Sequence, residues 1–334
     1  MEILVYSGLE LLGDGVMKLP FVRALRRSFP TARITWLAGK GKTVYAGALA
    51  PLVSDCIDEV IEDAGIGAKA SELLRRPLPG RRFDLVIDTQ RRVLTSLILR
   101  RVSSKRFVSG AADFLLSSPR PKRGARKPPS MIGQLFALLE LAAGRPVAPV
   151  FDLTLAEEWR ARAASLLPAG SIYVGIAPGA GGAHKRWPRE RFVALAQAQT
   201  AAGRIPVFLL GPDEAGWRGA LRDAVPDALF PLQQAAPETD TASPLLTLAV
   251  AQRLDATVAN DSGTGHLIAA AGSPLVSLFG PTRAEKFAPA ARRLAIVEAQ
   301  SFGASAMEAI PLDAVAAALE RVLEPAYEFN APLR

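Results

Sequence analysis

What most constrains this chain is an alternation of short apolar runs with longer amphipathic ones, broken once and then resumed. Residues 3–6 read ILVY, a buried-strand pattern, and LGDG at residues 12–15 reads as a turn. Between residues 17 and 29 apolar positions recur at helical spacing: Leu19, Val22, Leu25 and Phe29 face one way, Arg23, Arg26 and Arg27 another. Pro30 stops that helix. Residues 32–38 (ARITWLA), 56–61 and 83–89 (FDLVIDT) read as further strands, with helical stretches at 42–50 and 68–76, and a further helix is expected at 131–143. GRPVAPVFDLT at 144–154 reads as a linker. Beyond it, strands are expected at 171–179, 204–211, 255–260 and 274–280, and helices at 156–167, 188–202, 214–224, 243–253, 265–271 and 312–323. Such alternation is the pattern of a parallel sheet with helices on both faces. The expectation is two doubly wound α/β domains, residues 1–150 and 151–310, and a last helix and tail at 311–334 packing back on the first domain. Ligands of open parallel sheets bind beyond the carboxyl ends of the strands, so a cleft between two such sheets is the default site.

The 334 residues suit two domains, and 49% hydrophobic with 22% charged residues is a globular balance. The single cysteine, Cys56, excludes a disulfide framework and a multi-Cys metal site, and two histidines argue against a His cluster. This fits a reducing cytoplasm. MEILVYSGLE lacks a basic n-region and reads as a first strand, not a signal peptide; no apolar run approaches the ~18–20 residues of a membrane span. The net charge of +8 follows either from an Arg-rich composition or from an anionic partner: nucleic acid, phospholipid headgroups or an acidic glycan. No helix-turn-helix or RRM-type signature is present, and basic residues gather in one loop, SSPRPKRGARKPPS at 117–130, so nucleic acid is not the expected partner. That loop is either a solvated segment or a basic surface.

Three strand-to-helix junctions carry the candidate chemistry, because a helix start presents backbone N–H groups and a positive dipole end to an anion. In NDSGTGH, residues 260–266, Gly263 and Gly265 permit close backbone approach, and Ser262 and Thr264 add hydroxyls; a diphosphate fits there. Asp261 repels phosphate and suits a sugar hydroxyl, unless it or Ser262 caps the helix. His266 is either a phosphate donor or a structural histidine. The second junction, IAPGAGGAHKRWPRERF at 176–192, places Lys185 and Arg186 after a Gly-rich turn that starts at Gly179. A lysine there can neutralise a departing diphosphate, unless the stretch is a solvated loop with surface charges. The third, LLGDGVMKLP at 11–20, presents Asp14 either as a general base or as a helix cap.

Taken together, these blocks and NDSGTGHLIAAAGSPLVSLFGPT make the chain, from about residue 3 to 285, resemble the ADP-heptose:lipopolysaccharide heptosyltransferases of glycosyltransferase family 9. The resemblance implies the GT-B fold, two Rossmann-like domains facing an interdomain cleft, with an N-terminal domain for the acceptor and a C-terminal one for the nucleotide sugar. It implies an inverting, metal-independent transfer of heptose from ADP-heptose to an anionic lipopolysaccharide-core acceptor, with no cofactor, in the cytoplasm at the inner face of the inner membrane. On this sequence it makes Asp14 the catalytic base and Lys185 the lysine on the donor phosphates. Asp261 then lies near the donor sugar, and Ser262, Gly263, Thr264, Gly265 and His266 form the diphosphate turn, with Gly179 and Arg186 beside the donor. Lys18, Arg91, Arg92, Arg120 and Arg123 are the candidate acceptor contacts. Two departures stand out. SPLLTLA at 243–249 carries Thr247 where many members have an acidic residue that meets the ribose, and the first junction carries Glu10 and Met17-Lys18 in place of small or neutral polar residues. A sugar-nucleotide-binding relative without turnover and a nucleotide-sugar epimerase are the alternative functions.

Overall fold

The computed structural model describes residues 1–67, 69–122, 124, 127–234 and 243–324. The chain forms two compact units that meet in sequence between Val150 and Phe151.

In the first unit the order is β1 (Glu2–Ser7), α1 (Leu12–Ser28), β2 (Arg33–Ala38), β3 (Glu59–Ile61), β4 (Arg82–Asp88), α2 (Val93–Leu99), β5 (Ser103–Ser109) and α3 (Met131–Ala143). The strands pair in parallel in the order β3-β2-β1-β4-β5. Ile3 of β1 lies between Ile34 of β2 and Leu85 of β4. Both faces of this central strand are covered, which is why it reads as a continuous apolar run rather than an alternating one. On one side α1 packs with α3, Phe21 meeting Phe136 edge-on at 6.5 Å. Leu4 and Tyr6 point into the other layer, closed by Ile98 and Leu99 of α2 and by the 3₁₀ turn Ala70–Leu74.

The second unit runs α4 (Glu157–Leu166), β6 (Tyr173–Ala177), α5 (Arg189–Ala201), β7 (Ile205–Phe208), α6 (Arg218–Ala224), α7 (Pro231–Gln234), α8 (Pro244–Ala251), β8 (Ala256–Asn260), α9 (Gly263–Ala271), β9 (Leu275–Phe279), α10 (Ala284–Phe287), β10 (Leu294–Glu298) and α11 (Leu312–Leu323). Its parallel order is β10-β9-β8-β6-β7. Helix α11 packs on β8, β9, β10 and α5 through Val315, Ala318, Leu319 and Val322, so this helix belongs to the second unit's core. The tail from residue 325 onward lies outside the described residues.

In each sheet the strand order reverses direction once, between β1 and β4 and between β6 and β8. At such a switch point the connections leave on opposite faces and open a crevice at the carboxyl edge. The loops after β1 and β4, and those after β6 and β8, contain the junctions singled out by sequence.

Local structure departs from the sequence reading in instructive places. α1 begins at Leu12 and α9 at Gly263, so the Gly-Asp and Gly-Thr-Gly segments are first helical turns rather than loops. Residues 42–50 form successive turns, and 68–76 hold only the 3₁₀ turn. Other elements fall outside the expected set. Helix α2 contains Thr95 and Ser96, whose hydroxyls are bonded to Gly67 O and Asp88. Strand β5, at a sheet edge, carries polar residues in place of the apolar run, while β10, at the edge of the second sheet, is the short apolar run LAIV ending in Glu298.

Candidate active site

In the second unit, β6 and β8 are neighbours, so the loops leaving them emerge side by side. Asn260, fully buried, joins them: its Oδ1 accepts from Trp187 N at 3.1 Å and its Nδ2 donates to Pro178 O at 2.8 Å. Trp187 is anchored in turn, donating Nε1–H to Ile310 O at 2.9 Å. This staple brings Lys185, on the 3₁₀ turn Ala183–Lys185, to Asp261: Nζ lies 3.1 Å from Oδ2. Thr282, after β9, donates to the same oxygen at 2.7 Å. Ser262 is the cap of α9, its Oγ accepting from Gly265 N at 3.2 Å. Gly265 is needed for close packing, since a Cβ there would stand 3.2 Å from the Asn260 carbonyl. Capping thus uses one of the four N–H groups that a helix start leaves without intrahelical partners. The sequence alternatives for Ser262, cap or part of a phosphate turn, are therefore compatible. His266 follows on the same first turns, half-buried.

Arg186 points away from Lys185, toward Glu214 on the 3₁₀ turn Pro212–Trp217 after β7. Its Nη2 is 2.9 Å from Glu214 Oε1, and its guanidinium lies 5.8 Å from the Trp217 ring centre. The contact is not aligned as a hydrogen bond: Glu214 Oε1 and Arg186 Nε are both buried without a hydrogen-bond partner. Burial pushes the Glu214 carboxyl up, with Arg186 opposing. The other carboxylate oxygen lies under Gly179 and Gly211; a Cβ on Gly179 would meet it at 2.8 Å. Glu214 is the polar group that sequence reading missed. Its only signal was GPDE directly after an apolar strand, at the same sheet edge as the other loops. Thr247, by contrast, is buried in α8 with its hydroxyl on Ser243 O at 3.1 Å.

In the first unit the crevice at β1 and β4 is a cavity of about 230 Å³. Asp14, Lys18, Arg91 and Lys127 line it, with Gln90 and Gln134 between them and Met17, Phe114 and Leu138 as apolar wall. Asp14 sits in the first turn of α1, where its carboxylate accepts from Leu11 N at 3.3 Å. Arg91 is held toward α3, donating to Gln134 Oε1 at 2.9 Å. Lys18 also reaches the cavity wall, but its ammonium is committed: Nζ lies 2.6 Å from Glu10 Oε1 and donates to Ser7 Oγ at 2.8 Å. Arg92 precedes α2 and is exposed, and Arg120 is exposed on the basic loop; neither lines the cavity. Arg123 lies outside the described residues. Beneath the cavity floor, Asp88 at the end of β4 is fully buried, accepting from Ser96, from Ser109 at 2.8 Å and from Gln90 N at 2.9 Å. Burial pushes its carboxyl up to about 6, against the hydrogen bonds from the two serines.

The family model for glycosyltransferase family 9 (heptosyltransferase) matches residues 72–309 of this chain. The chain belongs to that family. As a member of family 9 it is a glycosyltransferase of heptosyltransferase type. Among curated protein sequences none matches. Solved structures agree on the fold. A glycosyl transferase family 9 protein of Veillonella parvula is 22% identical, with 96% of this chain and 97% of that one covered and a TM-score of 0.69. ADP-heptose lps heptosyltransferase II of E. coli is 20% identical, with coverage of 97% and 98% and a TM-score of 0.64. The E. coli heptosyltransferase WaaC, solved with ADP, is 18% identical, with coverage of 96% and 100% and a TM-score of 0.67; it has also been solved with ADP-2-deoxy-2-fluoro heptose. The two doubly wound sheets are thus the two Rossmann-like units of the GT-B fold found in the family's heptosyltransferases.

Proposed function

We propose that this family 9 enzyme transfers heptose from ADP-heptose to an anionic sugar of the lipopolysaccharide inner core, with inversion and without a metal ion. The observation that carries the reading is Lys185 held beside Asp261 at the first turn of α9, on the switch point of the second sheet. Residues 151–310 then serve the donor. Its diphosphate lies on the N–H groups of residues 262–264, the Gly265 N–H being taken by the Ser262 cap, and takes the Lys185 ammonium as counter-charge; His266 stands on the same turn. Asp261 accepts from a sugar hydroxyl. Glu214, whose Oε1 beside Arg186 lacks a hydrogen-bond partner and whose Oε2 lies under Gly179, accepts from the ribose hydroxyls, the role the resemblance gives to an acidic residue at the position of Thr247. WaaC bound to ADP and to a fluorinated ADP-heptose supports this donor class.

Residues 1–150 serve the acceptor. The first unit's cavity sets Asp14 among Lys18, Arg91 and Lys127, which suits an anionic sugar. The acceptor oxygen attacks the anomeric carbon from the face opposite the diphosphate and gives its proton to the Asp14 carboxylate. The bond from the anomeric carbon to the diphosphate oxygen breaks, and ADP leaves with the added negative charge on Lys185 and the helix start. Arg92, Arg120 and Arg123 extend the basic surface around the acceptor, whose lipid places the reaction at the cytoplasmic face of the inner membrane. Asp14→Ala should lower turnover by about 10²–10⁴-fold and leave the dissociation constant for ADP-heptose unchanged. Near-normal turnover in that variant, measured by product formation in the presence of EDTA, removes Asp14 as the base. Conversion of the nucleotide sugar without any acceptor would favour an epimerase instead.

A further inference from the structure

We propose that the outer surface of α2, with the two segments flanking it, is a docking face for an anionic phospholipid bilayer. Three stretches of the first unit share one construction. Leu73, Leu94 and Leu116 pack inward on the same apolar cluster, which includes Ile98, Leu99 and Phe107. Their immediate neighbours in the chain, Leu74, Val93 and Leu115, are turned to solvent, 85%, 47% and 58% exposed. Leu97, one turn after Val93 on α2, is 38% exposed and continues the apolar stripe. The inner layer is thus complete, and a second apolar layer lies uncovered outside it.

Arginines tie this surface together and ring it. Arg101 donates Nε–H to Arg75 O at 3.1 Å, joining the end of α2 to the segment that carries Leu74. Arg100 donates to Leu116 O and lies 5.7 Å from the Phe107 ring centre, joining α2 to the segment that carries Leu115. Arg76, Arg100 and Arg101 share one shallow depression with Ser103 and Ser104. Among the described residues, Arg75, Arg76, Arg100 and Arg101 form no ion pair with a carboxylate, whereas Arg81 and Lys105 on the adjoining strands pair with Glu59 and Asp84. Exposed leucines set among unpaired arginines match the two layers of an anionic bilayer surface: acyl chains for the former, phosphates for the latter. A second copy of this chain is the poorer occupant, because a self-complementary contact would bring the arginines of both copies together. No helix among the described residues is long and apolar enough to cross a membrane, so any contact through this face is interfacial. The proposal uses no residue of the transfer chemistry and none of the 117–130 loop.

The test is flotation of the full chain with vesicles of phosphatidylcholine alone and of phosphatidylcholine mixed with phosphatidylglycerol. Binding is expected only to the mixed vesicles and should weaken as salt is added. Arg75→Gln with Arg76→Gln should lower the partition coefficient about fivefold per residue. Leu74→Ser with Leu115→Ser, which keeps every charge, should lower it about tenfold. Circular dichroism should show both variants folded, and transfer to a water-soluble acceptor should be unchanged in both. Failure of the folded wild-type chain to float with the mixed vesicles overturns the proposal, as does flotation that neither variant weakens. A dimer in sedimentation equilibrium that Leu74→Ser with Leu115→Ser converts to monomer assigns the face to a second copy and overturns it too. Vesicle binding by a protein that transfers no sugar would sink the transferase reading alone.

Discussion

Replacing Lys18 by Met should cost the first unit more stability than any exposed substitution, and the cost should depend on pH. Glu10 is buried, with Oε1 on Lys18 and Ser7 and Oε2 receiving Thr43 Oγ1–H at 2.6 Å and Trp36 Nε1–H at 3.2 Å. Burial alone raises this carboxyl, but the Lys18 ammonium and the hydrogen bonds of Lys18, Thr43 and Ser7 outweigh it and hold the group below its ordinary 4.5. A depressed carboxyl stabilises the fold above its unfolded value, and that contribution is lost as pH falls through the folded one. Without Lys18, Glu10 escapes by taking a proton. From an ordinary carboxyl near 4.5, protonation at neutral pH costs about 3 kcal/mol, close to the ~3–5 kcal/mol of a broken buried pair. The assay is urea unfolding followed by fluorescence, since Trp36 is the first unit's only tryptophan and touches the pair. The deficit of Lys18→Met should be about 3 kcal/mol near neutrality and shrink as pH falls toward 4.5. Glu10→Gln added to it should recover part of the loss, because no charge is then left buried. A deficit that stays flat with pH, or stays under about 1 kcal/mol throughout, would falsify the account of a charge stranded in the core.

Asp88, whose carboxyl is raised from 3.8 to about 6, has the opposite sign: its contribution is complete below its unfolded value and is lost as pH rises through about 6, a swing of about 3 kcal/mol. Asp88→Asn should abolish that stretch of the pH dependence in a series of urea midpoints, and an unchanged series counts against the burial argument. Glu214→Gln should weaken ADP binding by about tenfold in calorimetry while leaving inorganic diphosphate binding unaltered, since it removes a charged acceptor for ribose and none for phosphate; equal losses for both ligands would detach Glu214 from the ribose. Asp261→Asn should bind ADP about fivefold more tightly, because the part-buried ion pair that occupies Lys185 is worth about 1 kcal/mol, and yet turn over more slowly. Weaker ADP binding in that variant would mean that Asp261 does not compete with the diphosphate for Lys185.

The fold was legible wherever a strand is buried on both faces. ILVY, FDLVIDT, the IYVGIA run and PLVSLFG are continuous apolar stretches because helices cover both sides of β1, β4, β6 and β9, and each was readable without further context. Strand β5 lies at an edge and reads SSKRFVS, so its local pattern does not distinguish it from a loop. α2 was hidden for another reason. Its Thr95 and Ser96 look like turn residues until Gly67 O and Asp88, 28 and 8 positions away, are seen to satisfy them. The helix starts at Leu12 and Gly263 were misplaced because glycine reads as punctuation. Asp14, inside the first turn of α1, accepts from Leu11 N, and Ser262, just before α9, accepts from Gly265 N.

The site was legible as residue types but not as pairings. Lys185 and Arg186 are adjacent in sequence and read as one basic patch, yet the backbone turn between them sends each to a different carboxylate, Asp261 and Glu214. The partners come from β8 and β7, 76 and 28 residues further on, and no local spacing reveals them. The consequence is chemical. Before a nucleotide binds, the two cations are already balanced by two carboxylates, so a diphosphate does not meet a bare positive patch. On the function proposed above, the diphosphate exchanges places with Asp261 on Lys185, and Asp261, still held by Thr282, turns to the sugar hydroxyls. Binding by exchange nearly conserves local charge, which predicts an affinity for ADP that depends less on salt than two unpaired cations would give. Lys18 shows the same logic in the first unit. Read alone it is a cation for the acceptor, but Glu10 already neutralises it, leaving Arg91 and Lys127 as the cations of that cavity not tied to a carboxylate among the described residues.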